Sequence, residues 1–233
     1  IIVLANFAAV AQKALAQHPV EHVIITQAGD MLSQPKRSIV NTVAKRVKKM
    51  VPAYSLPNEI PFRALLSGDP QAFVDPGVGH ADVAFLQYTG GTTGGTKAAV
   101  LTHWNLLCNQ EQFIGLMKSV LPEGGSKIIA ALPLYHVFAL TVNMIGFFRF
   151  GSHNILVTNP RDLPAFIKTI DSSKPDGILV VSTLAGALIE RPEFAKLAFS
   201  PLQLTVAGGM ALRPLVAPHW TQLTGNELIE GYG

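Results

Sequence analysis

Short apolar runs separated by helical patterns recur along the whole chain, and that alternation leaves few architectures open. HVIIT (22–26), VAFLQYT (83–89), KIIAAL (127–132), NILVT (154–158), GILVV (177–181), LQLTVA (202–207) and ELIEGYG (227–233) read as strands. The stretches 105–118, 139–150, 163–170, 183–190 and 214–223 read as helices between them. Strands and helices alternating at this spacing imply crossover connections, so the expected fold is α/β, with mainly parallel sheets flanked by helices. With 48% hydrophobic and 14% charged residues, the 233 residues can build a substantial core and do not read as disordered. Residues 52–80, rich in Pro and Gly, read as an irregular connection. The opening IIVLANFAAV resembles a buried strand running into a helix, and Gly231, Tyr232 and Gly233 stop at a strand-to-loop junction. Residues 1–233 are therefore expected to be an internal piece of a longer protein.

Several function classes drop out early. A net charge of +3 gives no general case for nucleic acid. One cysteine, Cys108, excludes an internal disulfide framework and fits a reducing, cytoplasmic compartment; its setting WNLLCNQ reads as a helix interior with an inert, buried thiol. The longest apolar run, 137–148, is too short to span a bilayer. His18 and His22 have Pro19 between them and no third ligand, so no metal site is assigned there. Residues 36–49, KRSIVNTVAKRVKK, carry six basic residues and no acid. On a helix, Val40, Val43, Val47 and Met50 share one face, with Lys45, Arg46, Lys48 and Lys49 largely away from it. Such a helix is either a peripheral contact with the cytoplasmic face of a membrane or the solvated face of a docked helix.

The segment from Thr89 to Lys97, TGGTTGGTK, follows the strand VAFLQYT directly. Ligands of open α/β sheets sit beyond the carboxyl ends of strands, so the position suits a ligand loop. Gly90, Gly91, Gly94 and Gly95 let backbone N–H groups converge on one cavity, while Thr89, Thr92, Thr93 and Thr96 add hydroxyls and Lys97 a mobile cation. Each charge-assisted bond contributes roughly 1.5–3 kcal/mol, enough in combination to clamp a polyphosphate. The Walker pattern needs lysine directly after its second glycine, but here Thr96 intervenes and no Ser or Thr follows Lys97; G-x-G-x-x-G is absent.

The run from Thr89 to Ala98 does resemble, residue for residue in order, the signature [ST]-[SG]-G-[ST]-[ST]-G-x-x-K-[GA] of the adenylate-forming superfamily of acyl-CoA synthetases. Leu101, Thr102, His103 and Asn105 follow the same habit, ALPLYHVFAL (131–140) resembles the second core motif, TVAGGMAL (205–212) the third, and ELIEGYG (227–233) the start of the fourth. The wording of LQYTGGTTG, LPLYHVFALT, TNPRD and KKMVPAYSLP is most similar to bacterial long-chain fatty acid–CoA ligases, a likeness running over nearly the whole chain.

The resemblance implies part of the large N-terminal domain of an adenylate-forming enzyme, with ATP and a fatty acid as substrates and coenzyme A as co-substrate. Carboxylate attack on the α-phosphorus expels pyrophosphate, and coenzyme A then displaces AMP. It further implies that Tyr88 and Thr89 through Lys97 hold pyrophosphate, and that His136 lies near the carboxylate and α-phosphate. Gly208, Gly209 and Met210 would line the adenine, with Gly231, Tyr232 and Gly233 beginning the motif whose aromatic stacks on it. The residues reaching Mg2+, a ribose-binding aspartate and the catalytic lysine of a C-terminal lid domain would follow Gly233, so residues 1–233 are not expected to complete the reaction alone. Ser182, Ala185 and Gly186, where relatives carry Asn and larger residues, either make room for an acyl tail or repack a helix start. Val137, Phe138, Leu140 and Met144 are the expected acyl-pocket residues, with no acidic partner for an amino group. Two alternatives stay open: another adenylating enzyme, such as an aryl-CoA ligase or a nonribosomal adenylation domain, or a non-catalytic binding module. Chain-length preference and oligomeric state are not readable here.

Overall fold

The computed structural model describes residues 1–89 and 97–231, with only the backbone of Thr89 included. The chain forms two compact units, 1–77 and 78–233.

In the first unit, β1 (Ile2–Leu4), β2 (Ile24–Thr26) and β3 (Ile60–Pro61) form a parallel sheet in that order. Three helices accompany it: α1 (Ala8–Leu15), α2 (Lys36–Thr42) and the single turn α3 (Phe62–Leu65). A small core of Ala5, Ala8, Val23 and Ile25 is closed by Tyr54 and Leu56. Burial of Tyr54, and secondarily the carboxylate of Glu59, pushes its phenol above the usual range. Asp30, buried, ties the turn after β2 to α2: it accepts from Gln27 N at 2.7 Å and from Asn41 Nδ2 at 3.2 Å. The expected basic helix continues from α2 through a π-helical stretch, Val43–Val47, and ends where Lys49 takes φ 49°. The wider π turn breaks the regular helical face. Val40 is half-buried, whereas Ile39, Val43, Val47 and Met50 are exposed.

The second unit opens with an antiparallel pair, β4 (Val83–Thr89) and β5 (Lys97–Thr102), with Thr89 opposite Lys97. Sequence reasoning passed over β5, which is absent from the strands it expected. Helix α4 (His103–Met117) follows at once, closed by a capping box between Thr102 and Asn105. The main sheet has the order β10-β9-β8-β6-β7, all parallel, and confirms the expected α/β class. Its strands are β6 (Lys127–Ala130), β7 (His153–Leu156), β8 (Gly177–Val180), β9 (Leu204–Gly208) and β10 (Leu228–Gly231). The crossovers carry α5 (Val137–Ala139), α6 (Leu163–Ser173), α7 (Ser182–Ile189), α8 (Pro192–Ala195) and α9 (Val216–Thr224).

Both faces of this sheet are covered, which is why β8 is buried at every residue. Alternation divides its side chains: Ile178 and Val180 join Phe166, Leu188 and Trp220 on one face, and Leu179 joins Phe147 and Phe150 on the other. The expected helix over 139–150 is one α turn followed by a π-helix, Leu140–Phe147. Thr141 Oγ1 donates back to Val137 O at 2.8 Å, a bond that bends helices, and the wide turn places Gly146 against the ring of Phe113.

Candidate functional site

Parallel strands that end together deliver the residues following them to one edge. Gly208 ends β9 and stands opposite Gly231 at the end of β10. Gly209 then takes φ +76°, a left-handed turn that suits glycine. The turn is held from two sides: Leu212 N donates to Glu230 Oε1 at 3.0 Å, and Arg213 N to the buried Ser182 Oγ at 3.0 Å. Met210 is exposed on it. Sequence reasoning missed Glu230 as a brace, and nothing in the one-dimensional pattern marks it.

His136 caps α5. Its Nδ1 accepts from Phe138 N at 3.3 Å, so in the neutral ring the proton sits on Nε2 and can be donated outward. The side chain is exposed, and its backbone is fixed by His136 N donating to Pro133 O and Leu140 N donating to His136 O, both at 2.9 Å.

His136, Gly209 and Gly231 all line a cavity of about 590 Å³. Its wall is apolar, formed by Phe138, Val142 and Phe147 on one side and Leu179, Leu204 and Val206 of the sheet on another. The third side is α4, through Asn105, Leu106, Asn109, Phe113 and Met117. Among the described residues no acidic side chain lines it. Phe138 lies over the glycine turn: a Cβ on Gly208 would fall 2.8 Å from its Cζ. A second, wider cavity of about 960 Å³ lies past the ends of β6, β7 and β8, beside Tyr135, Arg161 and Thr183.

Several expectations need correction. Of the expected acyl-pocket residues, Val137 and Phe138 line the cavity at His136, whereas Leu140 is buried and Met144 is exposed away from it. Ser182, Ala185 and Gly186 do not line it: Ser182 accepts from Arg213, Ala185 is in the core, and a Cβ on Gly186 would face Val216 at 3.6 Å. Of the two alternatives, helix repacking is the one that fits. Segment 177–190 gives the cavity only Leu179, and the α4 wall was missed altogether. Cys108 is half-buried in α4 rather than fully buried.

The proposed pyrophosphate loop falls mostly outside the described residues: Gly90, Gly91, Thr92, Thr93, Gly94, Gly95 and Thr96, as do Tyr232 and Gly233. Its flanks are described. Tyr88 is exposed on β4 opposite Ala98, and Lys97 is exposed at the start of β5. Among the described residues no three His, Cys, Asp or Glu side chains gather as a metal site. Among them, too, no helix is long and apolar enough to cross a membrane.

A family model described as AMP-binding enzyme matches residues 2–233. The chain is 45% identical over 234 residues to the long-chain-fatty-acid–CoA ligase of Escherichia coli O6:H1. It is 46% identical over 236 residues to that of Haemophilus influenzae. Each match takes in 100% of this chain and 42% of the relative, so the chain spans about two fifths of their length. The crystal structure of the anthranilate CoA ligase AuaEII in complex with anthranoyl-AMP matches with a TM-score of 0.74 at 20% identity. That match covers 100% of this chain and 40% of the other, and is a likeness of fold.

Proposed function

Because the chain belongs to the AMP-binding enzyme family, we propose that it is part of the adenylating domain of a longer parent protein that activates long-chain fatty acids. In this reaction a carboxylate oxygen bonds to the α-phosphorus of ATP and the bond to the β-phosphate oxygen breaks, releasing pyrophosphate. The thiolate of coenzyme A then attacks the acyl carbonyl and AMP leaves. The observation that carries the proposal is the cavity at His136, lined mainly by apolar side chains, a match to an acid with a long alkyl tail.

In this scheme an anion approaches a polyanion, so cationic and N–H donors must be held in place beforehand. Lys97 and residues 89–96 would bind the departing pyrophosphate. His136 would donate from Nε2 to the carboxylate or an α-phosphate oxygen, a direction supported by its Nδ1 accepting from Phe138 N. At Gly209, where an added Cβ would meet nothing nearer than 3.9 Å, there is room for a flat base, which Gly208, Met210, Gly231 and residues 232–233 would help to bind. No step is drawn through Mg2+. The test is ATP–pyrophosphate exchange by the parent protein with palmitate, benzoate and an amino acid offered separately. Palmitate should stimulate exchange most; stimulation by benzoate or the amino acid alone would replace this proposal with an aryl or aminoacyl one. The acid-free wall of the cavity supplies no partner for an amino group.

The basic helix supports a peripheral contact with an anionic membrane surface. Ile39, Val47 and Met50 are exposed beside Lys45, Arg46, Lys48 and Lys49. Each basic residue near an anionic surface contributes about 1 kcal/mol. Replacing Lys45 and Lys48 with glutamine should therefore lower partitioning of the parent onto phosphatidylglycerol vesicles by about thirtyfold. Co-sedimentation indifferent to lipid charge and to salt would refute the contact.

A further inference from the structure

Phe113 lines the cavity at His136 and rests against a glycine. The cavity follows α4 from Asn105 to Met117, about 18 Å at the helical rise. His136 and Gly209 line it too, with the polar side chains of Asn105, Asn109, Gln112 and Thr141. Phe113, Met117, Phe147 and Leu204, which line it, belong to the core cluster that also holds Leu121 and Phe150. Phe113 stands edge-on to Phe147, with ring centroids 5.0 Å apart and planes at 89°. Its ring is seated on Gly146, where a Cβ would come within 2.8 Å of Cε1 and 2.9 Å of Cδ1.

We propose that Phe113, held back by its seat on Gly146, is the specificity-determining wall that sets how long an acyl chain the cavity admits. The inference rests on the fatty-acid reading of this site and adds to it a residue and a direction. A ring lying on bare backbone leaves the channel as deep as α4 allows. A Cβ at position 146 would overlap that ring and displace it from its seat. The same Cβ would lie 3.0 Å from Thr141 O, so substitution there also strains the π-helix. Position 113 is therefore the cleaner lever. Neither Phe113 nor Gly146 carries a group that could take part in the reaction, so both should alter which acid is chosen rather than how the carboxylate is activated.

The experiment measures ATP–pyrophosphate exchange by the parent protein with saturated acids of graded length, from hexanoate to stearate, in wild type, Phe113→Ala, Phe113→Leu and Gly146→Ala. The readout is the ratio of kcat/KM for stearate to that for dodecanoate, which is independent of the amount of folded enzyme. Truncation at 113 should raise this ratio by about tenfold, the scale on which hydrophobic pockets discriminate methylenes, with leucine intermediate. Gly146→Ala, which unseats the ring, should also shift the ratio away from that of wild type. A wild-type length profile retained by both Phe113 variants would overturn the assignment alone. A wild type that no fatty acid stimulates would overturn the activity reading and this wall with it.

Discussion

Replacing Lys97 with alanine in the parent protein lowers fatty-acid-dependent ATP–pyrophosphate exchange by about a hundredfold to a thousandfold, the cost typical of deleting one preorganised donor to developing charge. The position is the reason. Lys97 is the first residue of β5 and stands opposite Thr89, the last residue of β4. Antiparallel pairing holds the two backbones about 5 Å apart, so both ends of the glycine- and threonine-rich segment are fixed at one point, with the lysine at its base. Lysine is exposed there, so the loss should fall on rate more than on stability. Lys97→Arg keeps the charge but replaces a compact, mobile ammonium with a planar fork, and should recover only part of the activity. Exchange within threefold of wild type in Lys97→Ala, with ATP saturating, would remove Lys97 from the chemistry.

The strands were legible because burial on two sides demands continuous β-branched and aliphatic runs. GILVV and KIIAAL can hardly be anything else, and they became β8 and β6 within a residue or two. The glycine turn after β9 was legible for a similar reason, since Gly209 occupies a positive φ that side chains avoid. The cavity wall was not. Along α4 the lining residues mix Asn105, Asn109 and Gln112 with Leu106 and Phe113, so no apolar stripe betrays which face meets a ligand. Nor could the π-helix be read. LTVNMIGF is apolar nearly throughout, and its register depends on contacts remote in sequence, such as Gln110 Nε2 donating to Thr141 O at 3.1 Å and Asn143 Nδ2 to Asn154 Oδ1 at 3.2 Å. Those contacts also decide that Met144 faces away from the cavity and Phe147 into it.

Trp220→Ala should destabilise the second unit by about 3–5 kcal/mol, the range for removing a fully buried aromatic from a packed core. Trp220 has no exposed surface and sits on α9, where it joins α7 and α8 to the sheet. Its ring lies 5.5 Å from that of Phe194, which itself meets Phe199 at 5.0 Å, so truncation would loosen a chain of three aromatics. The informative partner variant is Trp220→Phe. Among the described residues the indole Nε1–H has no hydrogen-bond partner, and a buried unpaired donor costs about 1–3 kcal/mol. Phenylalanine deletes that donor while keeping most of the ring, so the relief offsets much of the smaller cavity it leaves. The urea midpoint of the parent, followed by far-UV circular dichroism, should therefore fall steeply for alanine and lie within about 1.5 kcal/mol of wild type for phenylalanine. Equal losses in the two variants would mean that the indole nitrogen carries a bond the core depends on. In that case the stability of the α9 layer would rest on that hydrogen bond as much as on packing.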